Sequence, residues 1–354
     1  MTQWSQQFSD PPNRFDRVYR VDEDDGSHLD PDSSSHDRRI TVQYLPDEAR
    51  TIVSENKSPD IPFRYSLNPY RGCVHGCSYC YARNSHEYLG FNAGNDFDSK
   101  ILVKHQAPRL FEEFLATEDW QPEKIVFSGV TDCYQPAERE FQLTRQCLQV
   151  ALRYRHPVAI ITKNALITRD LDILRSMADS RLVHVSISIT TLRYELSGMM
   201  EPRTSTPEAR LRAIKTLSDA SIPVRVMVAP VIPGLNDSEI PAILKAAAEA
   251  GASSASYQLL RLPLSVEPVF RSWLSRLPTS LAEKVENQIR RTRGGLMNST
   301  QWHQRMTGEG ELAEQIQRVF QVFAGRLGLN RKLPELDSSG FARPIMPGQQ
   351  RKLF

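Results

Sequence analysis

Three of the five cysteines, Cys73, Cys77 and Cys80, lie within eight residues with the spacing C-x3-C-x2-C. A short loop with this spacing can place three thiolates around one face of an iron–sulfur cube. Gly72 and Gly76 allow the tight backbone path that such a loop requires. Because a [4Fe–4S] cluster has four irons, three cysteines leave one iron with an open coordination position. An open position on a metal is where a substrate or cofactor binds, so the spacing predicts chemistry on a bound ligand.

A structural zinc site is the main alternative for the same cysteines, with His75 or His86 as the fourth ligand. Zinc sites usually contain paired C-x2-C units, and the sequence has no second pair. A third interpretation is that the cysteines are buried and bind nothing. The colour of the protein separates these alternatives, because an iron–sulfur protein is brown and a zinc protein is colourless.

The cysteine spacing, with Tyr79 directly before the last cysteine, resembles the signature of the radical S-adenosylmethionine (SAM) superfamily. The resemblance implies that the open iron chelates the amino and carboxylate groups of SAM. It also implies that one electron from the cluster splits the sulfonium into methionine and a 5′-deoxyadenosyl radical. The partner that this reaction requires is an electron donor of the flavodoxin or ferredoxin type.

Length and composition are consistent with a cytoplasmic enzyme. The chain has 354 residues and is 40% hydrophobic, which suits an α/β barrel with extensions. It contains no run of 18 apolar residues, so we expect no transmembrane helix and no membrane partner. The N-terminus has no secretory signal, and the cysteines form no disulfide-like framework, which fits a reducing compartment.

Short apolar segments alternate with helical segments through the middle of the chain. The predicted strands are 63–67, 124–128, 157–162, 182–189, 223–229 and 256–260. The predicted helices are 143–155, 170–177, one that Thr206 caps before Pro207, and one that Asp237 caps and that runs to Ala250. This alternation indicates an α/β fold with a parallel sheet. Six βα units favour a partial, open TIM-like barrel over a closed one of eight.

The remaining segments flank this predicted barrel of residues 63–262. Residues 1–40 are polar and acidic and are predicted to form a disordered tail. Residues 41–62 are predicted to form an N-terminal extension, with a strand or edge segment between 40 and 53. Residues 263–354 are predicted to form a helical extension with helices at 279–293 and 312–327, and we expect the substrate region there.

Polar side chains and a glycine follow several predicted strands. They are Ser128, Gly129 and Thr131 after the second strand, Lys163 after the third, Ser188 at the end of the fourth, and Arg261 after the sixth. Active sites of βα barrels lie at the C-terminal ends of the strands, where the cysteine loop also follows the first strand. Hydroxyls and a lysine on this rim would suit a zwitterionic, ribose-bearing ligand.

Four further motifs resemble the spore photoproduct lyase-related branch of the radical SAM superfamily. They are residues 68–73 (NPYRGC), 131–136 (TDCYQP), 201–203 (EPR) and 229–237 (APVIPGLND). Residues 341–344 and 347–350 are similar to an uncharacterised bacterial subgroup of that branch. The resemblance covers roughly residues 40–354, and it identifies the branch without identifying the substrate.

The resemblance implies a set of SAM contacts in this chain. These are the backbone near Tyr79 and Ala82, then Ser128 and Gly129 at the methionine amino group, and also Thr131, Lys163, Ser188 or Ser186, and Ala229. Lys163 would pair with the methionine carboxylate. Ser188 would hydrogen-bond the ribose, and Ser186 shares its face of the strand because side chains alternate.

One departure from the lyase concerns the hydrogen donor. The lyase has a cysteine on the second strand that returns a hydrogen atom to the repaired base, and Gly129 stands at that position here. Cys133 lies four residues further on and is a candidate donor, although a buried thiol would serve only packing. Repair of a thymine dimer is therefore in question even with the radical-generating residues present.

The basic C-terminal third and the lyase-like core favour a nucleic-acid substrate. Residues 261–354 contain 15 Lys/Arg against 8 Asp/Glu. The candidate contacts are Arg271, Arg276, Arg290, Arg291, Arg293, Arg305, Trp273 and Trp302. The alternative is that the arginines end helices and the tryptophans fill a core. A protein, peptide or small-molecule substrate also stays open, as does a non-catalytic, zinc-stabilised binding module. Glu201 and Arg203 are predicted to contact the substrate or to pair with each other.

Overall fold

The computed structural model describes residues 11–15 and 41–343. The predicted disordered tail therefore lies outside the described residues, except for 11–15. The Asn13 side chain in that segment donates hydrogen bonds to the carbonyl oxygens of Glu87 (3.0 Å) and Phe91 (2.9 Å). Residues 11–15 thus contact the segment that follows the cysteine loop.

Ten strands lie in the described part of the chain and form two sheets. They are β1 (Gln43–Pro46), β2 (Val53–Glu55), β3 (Tyr65–Leu67), β4 (Tyr70–Arg71), β5 (Lys100–Val103), β6 (Ile125–Phe127), β7 (Val158–Thr162), β8 (Val183–Ser188), β9 (Val224–Val231) and β10 (Ser254–Leu259). The main sheet has the order β10-β9-β8-β7-β6-β3-β2. Its strands are parallel except for β2, which is antiparallel to β3.

The six parallel strands confirm the predicted partial barrel. Each corresponds to a predicted strand, and β2 and β10 are the two edges of a sheet that does not close. The N-terminal extension belongs to this architecture, because it supplies β2 to the main sheet. Its other strand, β1, pairs with β5 in a second sheet of order β1-β5-β4. The strand β4 of this sheet leads directly into the cysteine loop.

The helices of the described chain are α1 (Asn84–Glu87), α2 (Asn95–Ser99), α3 (Ala107–Ala116), α4 (Glu138–Phe141), α5 (Leu143–Arg153), α6 (Leu171–Asp179), α7 (Tyr194–Met200), α8 (Pro207–Asp219), α9 (Ile240–Glu249), α10 (Val266–Leu274), α11 (Thr279–Arg291), α12 (Gln304–Thr307) and α13 (Gly310–Arg326). Six of them, α3, α5, α6, α8, α9 and α13, pack against the outer face of the main sheet. The predicted cap of α8 is present, because the Thr206 hydroxyl accepts a hydrogen bond from the amide of Ala209.

The predicted cap of α9 is wrong. A 3₁₀ turn occupies Asp237–Glu239, and the helix begins only at Ile240. The Asp237 carboxylate accepts a hydrogen bond from the amide of Gly234 at 2.9 Å instead. The side chain thus orders the turn after β9, a use that competes with helix capping for the same oxygen atoms.

The two faces of the main sheet differ in character. Val183, Val185 and Ile187 of β8 belong to the hydrophobic core between the sheet and the helices. Because side chains alternate along a strand, Ser186 and Ser188 lie on the opposite, inner face of the barrel. The inner face therefore carries the polar side chains that could meet a ligand.

Residues 328–343, the C-terminal strap, run past the N-terminal ends of the strands. The Ala255 amide donates to the Leu329 carbonyl at 2.8 Å, and the Ala342 amide donates to the Tyr154 carbonyl at 3.1 Å. Arg343 donates to the Trp120 carbonyl at 3.0 Å. This part of the predicted substrate region thus lies at the end of the barrel opposite the cysteine loop. Within the described residues no helix has the length and apolar composition to span a membrane.

Candidate active site

The cysteine loop makes two turns that favour glycine. Gly72 and Gly76 have φ angles of +77° and +65°, in the left-handed region. A Cβ atom at Gly72 would lie 2.9 Å from the Lys100 carbonyl oxygen, and one at Gly76 would overlap the guanidinium of Arg203. The tight backbone path expected from the sequence is therefore present, and other segments of the chain press against it.

Hydrogen bonds from distant segments fix the loop. The Cys73 amide donates to the Phe97 carbonyl at 2.9 Å, and the Ser78 amide donates to the Met200 carbonyl at 3.0 Å. Gln135, fully buried in the motif after β6, accepts from the Val74 amide and donates to the Gly72 carbonyl, both at 3.0 Å. The loop is thus held by segments that follow β6 and β8 as well as by its own turns.

Arg83 is fully buried directly behind the loop. Its guanidinium donates to the Cys77 carbonyl at 2.9 Å, to the Ala93 carbonyl at 2.9 Å and to the Asp98 carboxylate at 3.0 Å. A buried charge needs such partners, because desolvation would otherwise disfavour it strongly. The ion pair therefore ties the second half of the cysteine motif to α2.

The three thiols fit an iron–sulfur cluster. Burial raises the pKa of Cys73, Cys77 and Cys80, so each thiolate needs nearby positive charge to form. Iron cations supply that charge, because a coordinating thiol is deprotonated by its metal. In residues 11–15 and 41–343 no group of three His, Cys, Asp or Glu side chains is positioned to share one metal ion. Ligands of a cube bind different irons and need not converge on one point.

The two histidines proposed for a zinc site have other partners. The Nε2 atom of His75 lies 3.2 Å from the amide nitrogen of Asn164, and its Nδ1 lies 3.6 Å from the Asp132 carboxylate. The Nε2 atom of His86 lies 2.9 Å from the carbonyl oxygen of Lys100. Burial lowers the pKa of both histidines to about 4. Neither is positioned as a fourth ligand, so the structure does not support the zinc alternative.

Lys163 extends from the end of β7 toward the cysteine loop. Its ammonium lies 5.8 Å from the centre of the Tyr79 ring. Burial lowers its pKa, and the charges of Cys77 and Asp132 act in the opposite direction. A lysine in this environment gains from an anionic partner, which the carboxylate of SAM would provide.

The other predicted SAM contacts lie along the same rim, but several of their side chains are engaged. The Ser128 hydroxyl donates to the Ile161 carbonyl at 2.6 Å, and the Thr131 hydroxyl donates to the Tyr70 carbonyl at 3.0 Å. The Gly129 carbonyl accepts a hydrogen bond from the Tyr81 hydroxyl. Contacts of this segment with SAM would therefore use backbone atoms.

Ala82, Ser186, Ser188 and Ala229 are all buried at this end of the inner face or beside the cysteine loop. The Ser188 carbonyl accepts a hydrogen bond from Arg210 at 3.0 Å. The hydroxyl of Ser188 lies on the inner face, because side chains alternate along the strand. The choice between Ser186 and Ser188 as the ribose contact stays a prediction.

A buried network behind Tyr79 is absent from the sequence-based prediction. The Glu201 carboxylate accepts hydrogen bonds from the hydroxyls of Tyr79 and Thr190 and from the guanidinium of Arg210. The predicted pair of Glu201 with Arg203 is therefore wrong: Arg203 donates to the Val74 carbonyl over the cysteine loop. The sequence contained one indication of this network. Arg210 lies on the apolar stripe of α8, where a charged side chain requires a buried partner.

Cys133 is fully buried and belongs to the main hydrophobic core. Its backbone amide donates a hydrogen bond to the Ser128 hydroxyl at 3.1 Å. A hydrogen donor has to reach a substrate radical, and this side chain has no exposed surface. The candidate role of Cys133 stays a prediction that its position does not favour.

The predicted nucleic-acid contacts in the C-terminal third are wrong for Arg293 and Trp273. Both are 2% exposed, and Arg293 donates to the carbonyl oxygens of Leu260 and Gln304. Other members of the set have carboxylate partners: Arg271 and Arg290 pair with Glu286, and Arg305 pairs with Asp60. Trp302 is 58% exposed. The basic composition of this region thus reflects ion pairs to a large extent.

Comparison with known proteins places the chain in a family. The model of the radical SAM superfamily matches residues 67–247. An uncharacterised protein of Mycobacterium tuberculosis, Rv2578c, is 36% identical over 241 residues, which cover 67% of this chain and 71% of that protein. An uncharacterised protein of Methanocaldococcus jannaschii, MJ0683, is 30% identical over 198 residues, which cover 56% of this chain and 71% of that protein.

Solved structures of spore photoproduct lyase share the fold. One with bound AdoMet and a dinucleoside spore photoproduct has a TM-score of 0.57 and 15% identity, and the match covers 80% of this chain and 78% of that one. Another, complexed with the dinucleoside photoproduct, has the same TM-score and identity and covers 80% and 79%. At this identity the likeness concerns the fold. Since the family model matches more than half of the chain, this protein belongs to the radical SAM superfamily, whose cofactors are a [4Fe–4S] cluster and SAM.

Proposed function

We propose that this protein is an enzyme that cleaves SAM reductively and uses the resulting radical on a nucleic-acid substrate. The cysteine loop is the observation that supports the reductive cleavage of SAM. It carries three buried or half-buried thiols within eight residues, and the two histidines considered as a fourth ligand, His75 and His86, have other partners. One iron of a cube held by Cys73, Cys77 and Cys80 would therefore be open to SAM.

When bound, the cluster and SAM supply a one-electron cleavage that yields methionine and a 5′-deoxyadenosyl radical able to take a hydrogen atom from a substrate carbon. The chain's own residues bind and orient. Lys163 would hold the SAM carboxylate, and the Glu201–Arg210 pair fixes the Tyr79 ring beside it. The electron would come from a flavodoxin- or ferredoxin-type donor, in the reducing cytoplasm that free thiols favour.

A nucleic-acid substrate is supported by two observations. Spore photoproduct lyase, which shares the fold, has been solved with a dinucleoside photoproduct. In this chain Arg261 stands at the end of β10 with its guanidinium 5.8 Å from the centre of the Tyr81 ring. Its Nε atom is buried without a hydrogen-bond partner among the described residues. A cation and an aromatic ring beside the SAM position could contact a phosphate and stack on a base.

The test of the reaction is anaerobic reconstitution with iron and sulfide, followed by dithionite and SAM. We expect release of 5′-deoxyadenosine and methionine in equal amounts, measured by liquid chromatography and mass spectrometry. Lys163→Gln should weaken SAM binding about tenfold or more, because it removes the charge opposite the carboxylate. Lys215→Gln, on the exposed face of α8, is the matched control. A fully loaded cluster that leaves SAM intact would contradict the proposal.

The test of the substrate is binding of a single-stranded oligonucleotide at increasing salt. Phosphate contacts predict a steep loss of affinity between 50 and 200 mM salt. Arg261→Gln should weaken binding and reduce the salt slope by about one, whereas Arg318→Gln on the exposed side of α13 should change neither. Binding that is independent of salt would favour the alternative of a protein, peptide or small-molecule substrate.

A further inference from the structure

Three basic side chains lie on the inner face of the sheet, at the end opposite the cysteine loop. Lys124 directly precedes β6, and His184 and Arg225 are the second residues of β8 and β9. Their sequence neighbours Ile125 and Val224 belong to the core between sheet and helices. Because side chains alternate along a strand, the three basic groups project to the other side, into the barrel.

No ion pair between described residues includes any of these three groups. The Arg225 Nε and His184 Nδ1 atoms are buried and make no hydrogen bond with any described residue. The Lys124 ammonium donates a single bond of 3.3 Å to the Pro62 carbonyl. Burial and the charge of Arg225 lower the pKa of Lys124, and the charge of Glu123 partly offsets this shift. Burial and the charges of Lys124 and Arg225 lower the pKa of His184 to about 4.

The side chains around this part of the inner face are partly exposed. Lys124, His184 and Arg225 are each partly exposed, and so are Ser256 and Gln258 on the inner face of β10. Two partly dehydrated cations, Lys124 and Arg225, repel each other, and a bound anion relieves that repulsion, with the neutral His184 as a further hydrogen-bonding group. The hydroxyl and amide of β10 add neutral donors beside the cations.

The distance to the rim limits the ligand. Ala229 lies four positions beyond Arg225 along β9, which corresponds to about 13 Å of strand. A ligand that contacts the cations and also reaches the SAM position must therefore be extended. A dinucleotide has that reach, whereas a single amino acid does not.

We propose that Lys124, His184 and Arg225 form a phosphate-binding floor of the barrel, which holds a phosphate of the substrate while its reacting carbon lies at the rim. For its ligand this inference rests on the proposed nucleic-acid substrate. The floor would then select an extended, phosphate-bearing molecule and set how deeply it enters.

The experiment measures thermal unfolding of the cluster-loaded protein at low ionic strength, with inorganic pyrophosphate or a 5′-phosphorylated dinucleotide as the probe. At a hundredfold excess over Kd, each probe should raise the Tm of the wild type by about 4 °C. Arg225→Gln should abolish both shifts. Its Tm without probe should equal or exceed that of the wild type, because it removes like-charge repulsion. His184→Gln is a second variant that should reduce the shifts.

Arg318→Gln is the control for loss of one exposed arginine and should keep both shifts. Equal shifts in the wild type and in Arg225→Gln would overturn the floor site, as would no shift in the wild type. Shifts with pyrophosphate alone would overturn the nucleic-acid ligand. SAM cleavage is measured separately on the same wild-type preparation. Cleavage without phosphate shifts would refute only the floor site, and shifts without cleavage would refute only the proposed reaction.

Discussion

Each cysteine of the loop is expected to hold one iron. Alanine at Cys73, Cys77 or Cys80 should therefore reduce bound iron to near zero, as measured by iron content and the visible absorbance of anaerobic protein. Cys147→Ala is the matched control, because Cys147 is fully buried in the main core and away from the loop. Loss of the cluster in Cys133→Ala would contradict an open iron, since all four irons would then have protein ligands.

Gly76 is expected to tolerate no side chain. A Cβ atom there would overlap the Arg203 guanidinium, which itself donates to the Val74 carbonyl. Gly76→Ala should therefore displace the loop and abolish iron binding. Gly90→Ala is a close control, because Gly90 has a φ of +79° with open space around its Cα. It should cost about 1 kcal/mol of stability and keep its iron. Equal iron content in the two variants would show that the contact with Arg203 is unimportant.

The loop between β2 and β3 is joined to α12 by an ion pair between Asp60 and Arg305. Asp60 accepts two hydrogen bonds from Arg305, and these lower its pKa to about 2. The unfolded chain has a pKa near 3.9 for aspartate. Because the folded pKa is the lower one, the pair stabilises the fold fully above about pH 4. That contribution is lost as the pH falls toward 2.

This pH dependence can be measured as a difference between two proteins. The free energy of unfolding of the wild type should exceed that of Asp60→Asn at pH 5, and the gap should narrow steadily down to pH 2.5. Asp219→Asn removes an exposed pair with Lys215 and should change stability little at any pH. A gap that stays constant with pH would mean that the Asp60 carboxylate contributes by packing and not by charge.

At the scale of the whole molecule, the C-terminal strap is expected to stabilise the barrel from the end opposite the active site. Leu329 is 1% exposed, and its carbonyl accepts the Ala255 amide on the edge strand β10. Leu329→Ala should cost roughly 2–5 kcal/mol of unfolding free energy by urea titration. Leu296→Ala is the control, because Leu296 is 63% exposed. Both proteins should bind iron at 25 °C; loss of iron in folded Leu329→Ala would instead couple the strap to the site.

Local patterns in the sequence determined most of the barrel and the cluster ligands. The apolar segments that became β6 to β10 alternate with amphipathic helices, and this periodicity reflects burial on one or both faces. The three cysteines lie so close in sequence that their common loop needs no tertiary information. The Thr206 cap of α8 was predictable for the same reason, since its acceptor and donor are three residues apart.

The tertiary structure alone decided which charged groups pair and which remain free. Glu201 forms an ion pair with Arg210 of α8 and not with Arg203, its neighbour in sequence. The chain turns between Glu201 and α8, so that the Arg203 side chain lies against Gly76. The arginines of the C-terminal third resemble a nucleic-acid surface by composition, yet Arg293 is buried and Arg271, Arg290 and Arg305 pair with carboxylates. The basic side chains of the inner face, Lys124, His184 and Arg225, lie just before β6, in β8 and in β9. Only the parallel register brings them together, because contacts between residues distant in sequence depend on how the sheet assembles.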